Sequence, residues 1–373
     1  MEQARGVSLD ALQQFLIPGE LIHIEELKRG HINRTFVGTW SHQGVRTRYV
    51  HQVVNHRVFR DIEGLMSNLE LVTKAVGEGS DRYPSSANDV TLSIILTRSG
   101  KSFVQDGLGE YWRTSPFIEK TISFDVCPNV DVARESGAIL GRFQRSLLSI
   151  DPGSLADTIP FFMDSRRRFG ALKEAIESDA ESRVALCGPE IEFALTLEAE
   201  ARSLNEGVES GRFSLRVSHN DMKLNNVLFD ADSSKAVCLL DLDTCMAGTI
   251  LYDFGDLVRN TAVPCAEDER DLSKIRVDPE LYSSIYQGYI AEMGSFLSPD
   301  EREFLPVAPR VLALTLGVRF LSDYLSGDTY FRIHRQDHNL DRARAQFQIV
   351  RALLEEEPTL RATTEAIAAT RDS

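Results

Sequence analysis

Eight consecutive residues, His219-Asn220-Asp221-Met222-Lys223-Leu224-Asn225-Asn226, place a carboxylate shortly after a histidine and an asparagine shortly after that carboxylate. Asp241 then closes the apolar run Ala236-Val237-Cys238-Leu239-Leu240. These types in this order suit the movement of a phosphoryl group from a nucleotide to a hydroxyl. Such a transfer needs a carboxylate to orient and deprotonate the accepting hydroxyl, and oxygen ligands to hold Mg²⁺ against the nucleotide phosphates. Asp221 fits the first role, Asn226 and Asp241 the second. Mg²⁺ keeps much of its water, so one amide and one carboxylate suffice as protein ligands. The competing reading makes Asp221 a loop aspartate that accepts backbone hydrogen bonds, and Asn226 and Asp241 turn or cap residues. His219 reads as a brace of the loop rather than a proton carrier.

The surrounding pattern would position these groups. Residues 213–217 alternate toward the loop, 227–229 lead out of it, and Asp230-Ala231-Asp232-Ser233-Ser234 is rich in turn formers. A hairpin returning through 236–240 presents Asp241 beside the loop. Upstream, alternating or β-branched stretches predict strands at 35–40, 47–54, 90–96 and 102–104, with apolar spacing of a helix at 62–72. A turn at 108–110 precedes an apolar run from Tyr111 to Glu119. Beyond it helical periodicity dominates, at 132–148, 169–176, 191–204, 281–293, 303–325 and 341–355, with Asp164-Ser165-Arg166-Arg167-Arg168 as a polar interruption. Residues 361–373 are expected to fray.

With 42% hydrophobic and 26% charged residues, the 373-residue chain falls among ordinary globular proteins with ample core. Its 56 acidic and 41 basic residues leave a formal charge of −15, which repels polyphosphate backbones and excludes nucleic acid as an expected partner. Five cysteines without C-x-x-C pairing fit a reducing compartment. No signal peptide and no apolar run near the ~20 residues of a membrane span is visible, so cytoplasmic residence without a membrane partner is the expectation.

The stretches 218–230, Leu240-Asp241-Leu242-Asp243-Thr244 and Tyr252-Asp253-Phe254-Gly255-Asp256 resemble the aminoglycoside phosphotransferase (choline kinase-like) family. Gly30-His31-Ile32-Asn33-Arg34-Thr35-Phe36, Phe117-Ile118-Glu119 and Arg319-Phe320-Leu321-Ser322-Asp323-Tyr324-Leu325 resemble its sugar kinases. The resemblance implies an α+β, bilobal, protein-kinase-like fold, with a small β-rich nucleotide-binding lobe at 1–119 and a larger, mainly helical catalytic and acceptor-binding lobe at 120–373. It further implies ATP and Mg²⁺ as cofactors and a small-molecule acceptor, a sugar or amino sugar.

Residue by residue, the resemblance places Lys223 near the transferring phosphoryl, whereas an exposed surface lysine is the bland reading. It makes Asp253 the support beneath the loop and Asp253-Phe254-Gly255 a lookalike of the kinase metal motif, the metal aspartate being Asp241. Gln52 stands where a strand lysine usually pairs the phosphates. An amide lacks the charge-assisted attraction, and Arg34, Arg48 or Lys223 is expected to compensate. Gly30 and Asn33 would cover the phosphates, or form a plain hairpin, and Phe117 and Ile118 would meet adenine at a hinge. Arg319 and Tyr330 would contact the sugar, with Asp323 positioning Arg319 one helical turn away. They would otherwise be ordinary core and salt-bridge residues. Met163 and Met222 replace the histidine and threonine expected from the resemblance, which implies a less polar acceptor pocket. Aminoglycoside, amino-alcohol and homoserine acceptors stay open within the same chemistry. A catalytically silent kinase-like module and a protein kinase are further alternatives, the last weakened by the lack of an activation segment closing in A-P-E.

Overall fold

Alternating side chains from residue 34 onward give one polar and one apolar face, which is the requirement for a half-buried sheet. The computed structural model, which describes residues 6–27, 32–82 and 92–371, begins with helix α1 (Leu9–Leu12) and strands β1 (Glu20–Leu27), β2 (Arg34–His42) and β3 (Val45–Val54). Gln43 and Gly44 join β2 to β3 with φ of 50° and 82°, the paired left-handed conformation that suits a two-residue hairpin. After helix α2 (Ile62–Arg82), strands β4 (Val104–Gln105) and β5 (Tyr111–Pro116) complete an antiparallel sheet ordered β1-β2-β3-β5-β4.

The register decides what each face carries. Thr35, Gln52 and Arg113 form one cross-strand row, while Arg34, Val53 and Trp112 form the next, pointing the opposite way. The second face buries Phe36, Trp40, Val53 and Trp112 against Leu12 and Phe15 in a core of its own. The first face turns toward the rest of the chain.

That remainder is mainly helical: β6 (Thr121–Ile122), α3 (Val130–Ser146), α4 (Ser165–Ser178), α5 (Gly188–Thr196), α6 (Glu198–Glu209), β7 (Arg216–Ser218), β8 (Val227–Asp230), β9 (Ala236–Leu239), β10 (Met246–Gly248), α7 (Ile250–Thr261), α8 (Pro279–Met293), α9 (Pro299–Phe304), α10 (Ala308–Leu325) and α11 (His338–Arg371). Two small sheets, β6-β8-β9 and β10-β7, sit among these helices. The architecture is thus the α+β arrangement expected, a small antiparallel sheet followed by a larger helical part. Helices α3 and α8 meet through glycines, because a Cβ at Gly137 would strike the Ile285 carbonyl and one at Gly288 the Arg134 carbonyl. This close approach fixes α3, which carries a residue needed below the catalytic loop. Among the described residues, no helix is long and apolar enough to cross a membrane.

Several expectations from periodicity need correction. Residues 92–96 of the expected strand 90–96 are irregular, although Ile95 N donates to Thr114 O at 2.8 Å; residues 90 and 91 lie outside the described part. The helix expected over 191–204 breaks at Leu197, where Thr196 Oγ1 bonds back to Glu192 O at 2.8 Å and the backbone leaves helical geometry. The one expected over 303–325 restarts as α10 because Pro309 cannot donate to the preceding turn. Arg166, Arg167 and Arg168 are no interruption: Asp164 caps α4 by accepting from Arg166 N and Arg167 N. The tail does not fray at 361, since α11 runs to Arg371 with Leu360 fully buried. Strand β1 and helix α7 were not anticipated. Helix α7 does carry polar residues at helical spacing, Asp253, Asp256 and Arg259, but that stripe is buried with the rest of the helix rather than turned to solvent.

Candidate active site

The loop between β7 and β8 is strained at one point and held at many. Asn220 takes a left-handed φ of 63°, and its side chain donates to Thr244 O at 3.0 Å. The buried Asp253, on the first turn of α7, accepts from His219 N at 2.9 Å, from Asn220 N at 2.8 Å and from Gln144 Nε2 of α3 at 3.0 Å. Gln144 Oε1 in turn accepts from the Tyr289 hydroxyl of α8 at 2.7 Å. Burial pushes the Asp253 carboxyl up, opposed by His219 and these donors. His219 is fully buried; its Nε2 lies 2.9 Å from Leu240 O and its Nδ1 accepts from Asp221 N at 3.3 Å, which puts its proton on Nε2. A ring so engaged on both nitrogens has none left for a reacting group.

Asp221 follows at the tip, half-buried. Lys223 Nζ sits 2.7 Å from its Oδ1, and Asn226 Nδ2 donates to its main-chain oxygen at 2.8 Å and reaches 3.5 Å from Oδ2. Burial works against the charge of both partners, yet each prevails over it. Lys223 holds the Asp221 carboxyl below its ordinary value, and Asp221, with Glu267 and Asp256, holds the Lys223 ammonium above its own. Asp256 pairs with Arg259 at 2.5 Å inside α7.

Leu240 N donates to Asn226 O at 2.8 Å, so the β8–β9 hairpin sets Asp241 next to Asn226. Asp241 adopts left-handed backbone (φ 57°) and stays exposed, yet the protein that displaces solvent around it, then Asp243 and Asp221, push its carboxyl up to about 6. The structure therefore brings Asp221, Asn226 and Asp241 together with Lys223, His219 and Asp253. Asn226 is tied through its amide nitrogen, which leaves its Oδ1 as a ligand for a hard cation. Asp221 and Asp243 beside it are already paired with Lys223 and Arg113, so among the described residues Asp241 is the carboxylate of this group left without an ion pair and able to meet a hard cation.

The face of the first sheet that meets this hairpin carries an arginine that the sequence reading missed. Arg113 donates with Nε to Gln52 Oε1 at 3.0 Å and with its two terminal nitrogens to both oxygens of Asp243, one bond measuring 2.9 Å. Asn33 Nδ2 donates to the same Asp243 at 2.6 Å and its Oδ1 accepts from Asn55 N at 2.9 Å. Gln52 Nε2 completes the row at Thr35 Oγ1, 3.2 Å away. A positive charge thus stands directly across from Gln52, on β5, with its fork taken up by Asp243. Arg34 does not join this group. Strand alternation turns it to the opposite face, where it pairs with Glu110 at 2.5 Å. Arg48 lies over the Phe117 ring at 3.9 Å and pairs with Glu119, while the Ile118 carbonyl accepts from Thr121 Oγ1 at 2.9 Å. Gly30 and His31 lie outside the described residues.

On α10, Arg319 is surrounded by rings, with its Cζ 5.2 Å from Phe162, 5.9 Å from Tyr330 and 5.4 Å from Phe331. Asp323 does not position it. Its carboxylate accepts from the amides of Thr329, Tyr330 and Phe331 at 2.9, 2.8 and 2.9 Å and from Asn339 Nδ2 at 2.8 Å. Asp323 therefore shapes the loop that carries Tyr330, because three converging amides outcompete a more distant guanidinium. Met222 is fully buried in the core and Met163 half-buried, so the thioether beside Asp221 does not face an acceptor as expected.

A catalytic loop held from below by an aspartate, between an antiparallel sheet and a helical body, defines a kinase-like phosphotransferase. The same fold occurs in an aminoglycoside phosphotransferase from Alicyclobacillus acidocaldarius (TM-score 0.65, 12% identity, covering 98% of each chain). It occurs also in a microcompartment-associated aminopropanol kinase (0.58, 15%, 94% of this chain and 97% of that one) and in a spectinomycin phosphotransferase solved with ADP and spectinomycin (0.51, 12%, 90% and 94%). Residues 23–275 match the model of the phosphotransferase enzyme family, and the chain belongs to that family. It is an enzyme that phosphorylates an alcohol hydroxyl.

Proposed function

We propose that this phosphotransferase uses ATP and Mg²⁺ to phosphorylate a hydroxyl of a sugar or amino sugar, the anomeric hydroxyl in the manner of an N-acetylhexosamine 1-kinase. The observation that carries the reading is the convergence of Asp221, Lys223, Asn226 and Asp241 on one loop and hairpin. Asp221 takes the proton of the accepting hydroxyl as that oxygen bonds to the γ-phosphorus and the bond from phosphorus to the β–γ bridging oxygen breaks, releasing ADP. Lys223 keeps a positive charge where the transferring phosphoryl gathers negative charge. Asn226 Oδ1 and Asp241 would hold Mg²⁺, which supplies neutralisation of the phosphate oxygens. His219 and Asp253 support the loop. Residues 1–119 form the nucleotide lobe and 120–373 the catalytic and acceptor lobe, with Phe117 and Ile118 at the hinge and Asn33 and Gln52 toward the phosphates. The exposed ring of Tyr330, with Phe331 and Phe162 beside it, offers the flat surface on which a pyranose stacks. The ADP-bound spectinomycin phosphotransferase supports the nucleotide.

The test is transfer from labelled ATP to a panel of monosaccharides, N-acetylated amino sugars, aminoglycosides and amino alcohols. A sugar is expected to be labelled at its anomeric oxygen. Asp221→Asn is expected to cut turnover roughly 10²- to 10⁴-fold with folding and ADP binding retained. Labelling confined to aminoglycosides or amino alcohols, or an Asp221→Asn enzyme within tenfold of the native rate, overturns the reading. Nucleotide binding without any transfer would make the chain a silent module.

A further inference from the structure

Arg319 has a neighbour of like charge. Arg168, on the first turn of α4, donates with Nη2 to Phe162 O at 2.8 Å and to Phe161 O at 3.4 Å, and its buried Nε has no hydrogen-bond partner. Arg319 comes from α10 and approaches the ring of the same Phe162. Two guanidinium groups therefore meet around one residue. Burial, and then Arg319, pull Arg168 down to about 10, still charged at neutral pH.

Among the described residues neither is in ion-pair contact with a carboxylate, Asp164 acting on Arg168 only through its field. Asp164 accepts from the amides of Arg166 and Arg167 and pairs with both of their side chains, at 3.4 and 3.9 Å. Asp323 spends its oxygens on the 329–331 amides and Asn339, and Asp328 pairs with Arg183 at 2.7 Å. Among the described residues Arg319 makes no ion pair, whereas the buried Arg113, Arg259 and Arg310 each find an acid. Arg302, also half-buried and without an acid, is settled by donating to Gly294 O at 2.8 Å, whereas the buried Nε of Arg168 has no partner and a second guanidinium stands beside it, an arrangement that an anion would relieve.

The cluster is tied to the catalytic loop. Tyr252, the neighbour of Asp253, approaches Met163 O at 3.4 Å with its hydroxyl, and Asn205 Nδ2 donates to both, at 2.8 and 3.1 Å. Met163 follows Phe162. The wall that carries the two arginines is thus continuous with the support of Asp221.

We propose that Arg168 and Arg319 form an anion-reading end of the acceptor site, so that the preferred acceptor is a sugar bearing a carboxylate or a phosphate. The inference rests on the sugar-kinase reading above and narrows its substrate class. The fork of a guanidinium matches both groups, and hydrogen bonds between ions are roughly twice as strong as neutral ones. The same charges repel a protonated amine, which sets this site against aminoglycosides and amino alcohols.

The experiment compares kcat/KM of the full-length enzyme for a neutral hexose, its N-acetylated amino form, its uronate, its 6-phosphate and its unacylated amine. The uronate or the 6-phosphate is expected to exceed the neutral hexose by at least about tenfold, and which of the two leads identifies the anion. Arg168→Met should erase most of that ratio through KM, and Arg168→Lys, which keeps the charge and loses the fork, should erase part of it. Binding of the favoured anion to Asp221→Asn, measured by calorimetry, should weaken by about tenfold when Arg168→Met is added, independently of turnover. Equal or better use of neutral sugars, or an anion preference indifferent to Arg168, overturns the anionic assignment and leaves the sugar kinase standing. Transfer to no sugar of any charge overturns both.

Discussion

Arg113, on a strand of the first sheet, and Arg319, on helix α10, are treated by the chain in opposite ways. Arg113 is buried and saturated, with Gln52 on its Nε and Asp243 on its fork, and Asn33 shares that aspartate. Arg319 is half-buried and unsaturated, with aromatic rings around it and a second guanidinium beyond Phe162. A buried charge whose partner is present holds structure; one whose partner is missing marks where a ligand supplies it. The saturated arginine joins the first sheet to the hairpin that bears Asp241. It thereby fixes the distance between the face that carries Gln52 and the groups proposed to meet the metal.

The largest expected effect comes from breaking the saturated side. Arg113→Met leaves the Asp243 carboxylate buried against Asn33 alone, and should cost about 3–5 kcal/mol in urea-induced unfolding. Asp243→Leu should cost a similar amount by stranding the guanidinium. The double variant, with both charges gone, should recover most of the loss, because the pair's own net worth is small once desolvation is counted. Single variants that cost below about 1 kcal/mol, or losses that simply add, would mean that the pair is not the junction described here.

The same contrast explains what could be read in the sequence. Asp221, Asn226 and Asp241 were legible because their spacing is local: one loop and one hairpin bring them together, and the turn formers at 230–234 mark the hairpin. Arg113 was not, since it meets Asp243 across 130 residues of chain and its row with Gln52 exists only once the β3–β5 register is set. An arginine between Trp112 and Thr114 in a strand was its one signal. Arg34 was misplaced for the same reason, because parity along β2 sends it to the far face from Gln52. The resemblance implies Asp323 as the partner of Arg319 one helical turn away, whereas the amides of a returning loop, invisible to periodicity, claim it. Arg168 lies in an arginine triplet whose polarity resembles a break in the sequence, and only the capping of α4 by Asp164 makes that triplet the first turn of a helix.

A buried group that is neither paired nor awaiting a ligand, but neutral, sharpens the comparison from a third side. His51 lies behind Arg113 on the opposite face of the first sheet; its Nε2 accepts from Trp40 Nε1 at 3.2 Å and its Nδ1 contacts Thr114 Oγ1 at 2.9 Å. Burial lowers its pKa to about 4, against about 6.5 when unfolded. Between those values the unfolded chain binds the extra proton, so stability is fully present above about pH 6.5 and falls as the pH drops toward 4. The full shift corresponds to up to about 3 kcal/mol. Comparing unfolding free energies of the native chain and His51→Asn at pH 7, 5.5 and 4.5 isolates this share from that of the carboxylates. The gap between the two should narrow as the pH falls; a gap independent of pH would show that His51 does not titrate in this window.

The smallest effect on stability is expected on the unsaturated side, and its smallness is the point. Arg319→Met keeps the unbranched stem among Phe162, Tyr330 and Phe331 and removes the guanidinium. The cation–π attraction lost is about 0.5–1 kcal/mol, part of which a thioether against aromatic rings returns. No carboxylate is stranded, and the repulsion from Arg168 disappears. The net change in unfolding free energy should therefore stay within about 1 kcal/mol, several times less than for Arg113→Met, while phosphoryl transfer to the preferred acceptor falls. If Arg319→Met instead costs more than about 2 kcal/mol, Arg319 is held by the fold rather than reserved for a ligand. The two arginines would then differ only in which groups surround them, and the contrast between a saturated and an unsaturated guanidinium would not stand.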